Sequence, residues 1–515
     1  MYIAPTTNIR LLHQVPLDNT YDHTIFFYTA AAQQAYFAGL TKYNLANYTY
    51  QRVQKGVSRV GINAENLYDC NYMMFQNTGF GNKWFYAFIT SVEYVNNECS
   101  EIRFELDEIQ TWHFDYSPDI CFVERQHSGT DNIGDNILPE PVALGEYVFN
   151  GSHPLIDFSD LSVIVGVVNV NTETGTVQGN KYDGVYGAAT LYSFRIDGAL
   201  SVDAINNMLQ PYIQKPEAIV CLYVCPTAFI GDKDPSTSRL LYFDRAKQWE
   251  ITDNALSSSW TLDGYAPKNK KLFTYPYNYY MADNGMGDTL ILPYEYFSNL
   301  TPRFYIAATV TQPVKAVLRP HIYKNINACL TENLTLSDFP MCSWAFDAYA
   351  AWQAQNTIPN ILTGIKAVGS GVASTLGGQP QRGAEDILGM AMDMISKHYT
   401  ASIQADITRG NFSNGNVNVS DKKHQFYGSR MTVKYQYAKM IDDFFSRFGY
   451  ATNNLTLVNR SSRPHWNYTK TVGCTLTGSV PADSMKKLCQ IYDHGITWWK
   501  SGAEVGNYTL NNSPS

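Results

Sequence analysis

The sequence predicts a mainly β chain with a few helices, arranged in more than one domain. Three observations carry this. Short runs of alternating or β-branched apolar residues recur through the first 340 residues, punctuated by Gly, Pro, Asn and Asp. Tyr is abundant (37 residues), whereas charged residues make up only 16%, well below the usual value of about 25%. That mixture favours strands, turns and polar loops over long charged helices. Finally, the 515 residues allow two to four domains at roughly 100–200 residues each.

The elements follow in chain order. Residues 6–27 are broken by Pro and Asp, so their strands must be short. Trp84-Phe85-Tyr86-Ala87-Phe88-Ile89 is a continuous apolar run, as in a strand buried on both faces. Glu101-Ile102-Arg103-Phe104-Glu105-Leu106-Asp107 alternates, as a half-buried strand does. Leu161-Ser162-Val163-Ile164-Val165-Gly166-Val167-Val168 is a further β-branched run, and Asp283-Asn284-Gly285 supplies the positive φ of a tight turn. The character changes near Asp338. Trp344, Ala348, Ala351 and Trp352 recur at helical spacing, predicting a helix over 341–355. A Gly-rich region poor in aromatics covers 356–418. Val433, Tyr435 and Tyr437 then alternate with Thr432, Lys434 and Gln436, predicting a strand. Met440, Ile441, Phe444, Phe445 and Phe448 predict a helix stopped by Gly449. A last helix from about Asp483 carries Met485, Leu488, Cys489 and Tyr492 on one stripe and ends at Gly495.

A net charge of −8 argues against tight binding to phosphate backbones, which needs clustered Lys and Arg. The nine Cys are scattered. The closest pair, Cys221 and Cys225, supplies two ligands where zinc needs four, so the Cys are read as small core residues of a protein made in a reducing cytosol. The start, Met1-Tyr2-Ile3-Ala4-Pro5-Thr6, lacks the basic-then-apolar pattern of a signal peptide. No run of 18 apolar residues marks a spanning helix.

No pattern of catalytic chemistry emerges. GxSxG and GxxxxGK[ST] are absent, and Gly79-Phe80-Gly81-Asn82-Lys83 reads as a turn between strands. His127 with Glu124 and Asp131 can be drawn as an acid–base set, but exposed loops produce such neighbours by chance. Asp442-Asp443 reads as the solvated face of its helix rather than half of a glycosidase pair. The expectation is a chain that is not an enzyme, with no catalytic residue, cofactor or metal.

Two segments in the Gly-rich region stand apart. The first, 361–378, has one charge and five Gly; the second, 384–395, carries Met at alternating places. Each interior Gly costs a helix about 1 kcal/mol against Ala, so these are poor autonomous helices in water. Against lipid or neighbouring chains, small residues permit close backbone approach while apolar ones supply burial. The ordinary alternative is a helical hairpin, with Ile365, Val368, Val372 and Leu376 facing Ile387, Ala391 and Ile395.

Several stretches resemble the distal tail knob proteins of phi-twenty-nine-like podoviruses. They are 71–89, Glu101-Ile102-Arg103-Phe104-Glu105-Leu106-Asp107, Gln110-Thr111-Trp112 and Val123-Glu124-Arg125-Gln126-His127. Further on come 437–450, Arg463-Pro464-His465-Trp466-Asn467-Tyr468-Thr469-Lys470-Thr471, Gly473-Cys474 and Gly495-Ile496-Thr497-Trp498-Trp499. They bracket nearly the whole chain in family order; 150–340 matches loosely. The resemblance implies a homohexameric tail tube with a β-rich wall and an inserted apolar helical loop. The domains read accordingly: 1–150 an N-terminal β-rich tube domain, 151–340 β-rich middle domains, 341–430 a helix plus the apolar loop, and 431–515 an α+β segment completing the tube domain. The loop residues expected to plug the lumen and enter the membrane are Ile361, Leu362, Gly364, Ile365, Val368, Gly369, Gly371, Val372 and Leu376, then Ile387, Leu388, Met390, Met392, Met394 and Ile395. Implied partners are the lower collar or proximal tail protein, the host cytoplasmic membrane, double-stranded DNA passing without sequence-specific contact, and cell-wall glycans. The implied place is the virion tail tip, after assembly in the host cytoplasm. A receptor- or wall-binding tip without pore activity is the competing reading, with a wall hydrolase third.

Overall fold

The computed structural model describes residues 6–48, 56–168, 181–182, 185–186, 190–195, 219–231, 247–311, 313–339, 341–342 and 423–514. The chain divides into two units. One comprises Met1–Glu146, Ser258–Tyr277 and Val433–Ser515; the other comprises Tyr147–Ser257 and Asn278–Thr432.

The first unit begins with the alternating strands. Six of them pair in the order Thr41–Tyr48, Thr7–His13, Cys70–Asn77, Trp84–Asn96, Cys99–Leu106 and Gly56–Val60. The two edge strands are neighbours in sequence, so the sheet must curl to bring them together. It does: the Gly61 N–H donates to the Tyr48 hydroxyl at 3.4 Å. Ile9, Val60, Met73, Phe75, Ala87, Ile102 and Phe104 fill the enclosed side, with Tyr43, Leu45 and Tyr48 packed against them. All six strands therefore contribute to one apolar interior, and the curl brings the two edge strands toward each other. At the turn between Cys70–Asn77 and Trp84–Asn96, Gly81 takes the left-handed conformation (φ 64°), as the turn reading of 79–83 required.

The opposite face of this sheet carries Leu12, Tyr72, Met74, Tyr86 and Phe88. Helices cover it: α1 (Ala30–Gly39), α2 (Glu108–Trp112) and α4 (Ala482–His494) supply Phe37, Ile109, Leu488, Ile491 and Tyr492 to the same cluster. α3 (Tyr435–Phe448) lies between the second unit's last strand and Tyr450. A second sheet runs in the order His23–Ile25, Ile496–Trp499, Trp466–Val472, Cys121–Gln126 and Tyr450–Thr456; its first pair is parallel and the rest antiparallel. N- and C-terminal strands thus share one sheet.

The described residues of the second unit lie mainly in sheets. One sheet runs Tyr147–Pro154, Tyr427–Val433, Asn278–Asp283 and Thr289–Leu292. Its hairpin turns at Gly285 (φ 65°), where the Gly285 N–H donates to Asp283 Oδ1 at 2.7 Å. Another runs Thr190–Arg195, Leu161–Val167, Ile219–Pro226 and Met341–Cys342. A third runs Lys247–Thr252, Arg303–Thr309, Lys315–Tyr323 and Ile326–Ala328.

Two expected elements are corrected. Tyr435 and Tyr437 do not extend a strand: Tyr427–Val433 ends there and α3 starts at Tyr435. The reason is a cap from far away, since Asp263 accepts the Tyr435 N–H at 2.9 Å. Met341–Cys342 opens the predicted 341–355 helix as a strand paired with Leu222 and Tyr223; the remainder of that helix lies outside the described residues.

Candidate functional site

Within the first unit, the segment Ser258–Tyr277 is fastened to the N- and C-terminal segments by buried polar groups. Asp442, on α3, is fully buried. Its carboxyl accepts from the Tyr265 hydroxyl (2.8 Å), the Lys268 N–H (2.7 Å), the Asn269 N–H (3.0 Å) and Asn269 Nδ2 (2.7 Å). Burial pushes this carboxyl above the ordinary range although every donor pulls the other way. Asn269 Nδ2 also reaches Ser446 Oγ (2.8 Å), and the Tyr450 hydroxyl donates to Asp131 (2.6 Å). Beside this, Glu140 accepts from Lys271 Nζ (2.5 Å), the Ala451 N–H (2.8 Å) and the Arg125 guanidinium. Burial lowers the Lys271 ammonium from its ordinary value. Every carboxylate here is saturated by donors, so the cluster fastens segments and offers no free base.

This overturns two sequence expectations. Asp442 faces the interior rather than solvent. His127 is buried, not in an exposed loop, and both ring nitrogens are engaged. Nδ1 accepts the Tyr468 N–H (2.7 Å), which leaves Nε2 to donate to Ser446 O (3.1 Å). Burial drives this imidazole down to about 3, so it stays neutral. Glu124 instead pairs with Lys470 (2.9 Å). His127, Glu124 and Asp131 form no acid–base set.

The C-terminal motifs are explained by packing. Trp466 and Trp499 sit opposite each other on paired strands, ring centroids 5.1 Å apart, and both are fully buried. The Trp466 indole N–H donates to Ser446 O (2.9 Å). Buried Arg463 donates to Ser128 O (2.7 Å) and Asn512 O (3.2 Å), tying the end of the chain to the strand. Asn269 and Lys271 escaped the sequence reading because their partners lie more than a hundred residues away and leave no local signal.

All fifteen residues of the expected membrane-active loop, from Ile361 to Ile395, lie outside the described residues. Their point of departure is described. The strand Met341–Cys342 precedes them and Tyr427–Val433 follows, both in the second unit. Phe339 and His424 meet edge to face, ring centroids 4.5 Å apart. The described residues on either side of the stretch thus come together at Phe339 and His424. Among the described residues, no helix is long and apolar enough to cross a membrane, and no His, Cys, Asp and Glu cluster fits a metal ion.

The family described as Caudoviral major tail protein N-terminus matches residues 5–117. The bacteriophage C1 tail knob protein, gp12, shares the fold: TM-score 0.66 at 16% identity, covering 98% of this chain and 99% of that one. Together these define a structural component of a phage tail. The family described as Bacillus phage phi29 tail knob protein gp9, C-terminal domain, matches residues 244–513, and the chain belongs to it. Tail knob proteins gp9 of Bacillus phages B103 and PZA are 24% and 25% identical, each over 98% of both chains. These relatives are structural virion proteins of the tail, and the chain is not an enzyme.

Proposed function

We propose that this chain forms a homohexameric knob at the tail tip, a conduit through which the genome leaves the particle. It is assembled in the host cytoplasm against the lower collar or proximal tail protein. The apolar loop 361–395 is stored in the lumen and released at the host membrane. The observation that carries this reading is a Gly-laced apolar stretch inserted in the sequence of a tail knob framework, with the flanking residues Phe339 and His424 in contact. Six loops packed together keep apolar surface from water, where a patch above a few hundred Å² invites aggregation. Transfer to lipid gains roughly 25 cal/mol per Å² buried, provided the backbone is satisfied as helix. The net charge of −8 suits passing DNA without holding it.

Removal of 361–395 from the phage tests this. Particles with six-fold tips are expected to assemble and adsorb but fail to deliver DNA. Normal delivery from such particles would leave a wall- or receptor-binding tip as the better reading, with affinity for wall glycans that survives the deletion.

A further inference from the structure

The end of the strand Trp466–Val472 and α4 hold two thiols against each other. Cys474 lies two residues past the strand, and Cys489 sits mid-helix. The Cys474 N–H donates to Asp493 Oδ1 (3.0 Å), and Thr471 Oγ1 donates to the same oxygen (2.7 Å). Asp493 lies one turn beyond Cys489, so both project from one helix face. The strand end is thereby anchored over Cys489. Cys474 and Leu476 also pack against the cluster containing Leu488, Ile491 and Tyr492 of α4. The Cys474 and Cys489 thiols lie near enough to influence each other electrostatically. Both thiols are free and half-buried, so small reagents reach them; Cys121, close by, is buried.

We propose that Cys474 and Cys489 are a latent disulfide site, oxidised by a small-molecule disulfide after the particle leaves the reducing cytosol. The timing rests on the tail-tip reading above; the site itself does not. The reaction is two thiol–disulfide exchanges. One protein thiolate attacks a sulfur of the small disulfide, forming a mixed disulfide and expelling one small thiolate. The second protein thiolate attacks the protein sulfur of that mixed disulfide and expels the other. The two protein thiols are oxidised, the small disulfide is reduced to two thiols, and the two protons pass to them. Burial raises both protein thiols above their ordinary value, which makes the exchange slow at neutral pH and faster with alkalinity. Once closed, the bond pins α4 to the end of the central strand.

The test uses purified full-length protein, incubated with oxidised glutathione at about pH 8.5, near the ordinary thiol range. Free thiols are then alkylated under denaturing conditions and the peptides mapped by mass. The expected result is a peptide pair joined through Cys474 and Cys489, together with a higher thermal midpoint. Cys489→Ser loses both changes but keeps the reduced protein's midpoint. Particles alkylated at once on release from cells show both thiols unlinked, whereas particles stored with oxidised glutathione before alkylation carry the link. Single glutathione adducts on both cysteines, a link from either to Cys121, or a link absent from stored particles would each overturn the proposal. Because the wild-type map decides the matter, the outcome does not depend on the variant folding, and loop deletion leaves it unchanged.

Discussion

Asp107 shows how one residue sets a pH dependence. It caps α2 through the Gln110 N–H (3.0 Å) and accepts the Tyr72 hydroxyl (2.8 Å), yet burial outweighs both and pushes its carboxyl up to about 7. A raised acid binds its proton more tightly in the native state. Its stabilisation is complete below the ordinary carboxylate range and is lost as pH rises through about 7. Asp107→Asn imitates the protonated form. Urea unfolding between about pH 5 and 8 should show the variant gaining on wild type as pH rises, by on the order of a few kcal/mol; a constant difference would mean Asp107 is already ionised. Glu140 makes the opposite kind of demand. Glu140→Gln leaves Arg125 and Lys271 buried without their carboxylate, a change that costs about 3–5 kcal/mol. Adding Lys271→Met should restore part of the denaturation midpoint. Neither residue was legible in sequence, because burial of a charged side chain is decided by partners brought from distant segments. The aromatic run 84–89 was legible, because it has no polar face to offer water.

At the scale of elements, alternation and apolar runs located three strands, at 84–89, 101–107 and 161–168, and helical stripes located two helices. Glu101–Asp107 has its expected half-buried pattern, with Ile102 and Phe104 inside, and α4 ends at Gly495 as its sequence required. The boundary at 433–437 went wrong because alternation of Tyr and polar residues fits either period over so short a span. What decides it is Asp263, 172 residues earlier. Asp263→Ala should cost about 1 kcal/mol and fray the first turn of α3, read as faster amide exchange near Tyr435. The paired strands Trp466–Val472 and Ile496–Trp499 are less forgiving. Trp466→Ala opens a void beside Trp499 and removes one of the two donors to Ser446 O, for a loss of about 3–5 kcal/mol in urea unfolding.

For the whole molecule, the chain path matters most. The first unit is assembled from three separated pieces, so neither terminal segment completes its sheet alone. The second unit, interrupting it in sequence, holds the described residues that flank 343–422. Such interleaving is invisible to local pattern, whereas the change in composition at 356–418 is visible in the sequence itself. The most direct measurement of the loop's role is dye release from liposomes of bacterial lipid composition by purified protein. Wild-type protein is expected to release the dye, with protein lacking 361–395 folding equally well and releasing none. Wild-type protein that leaves the liposomes sealed across the pH range in which it stays folded would contradict the account.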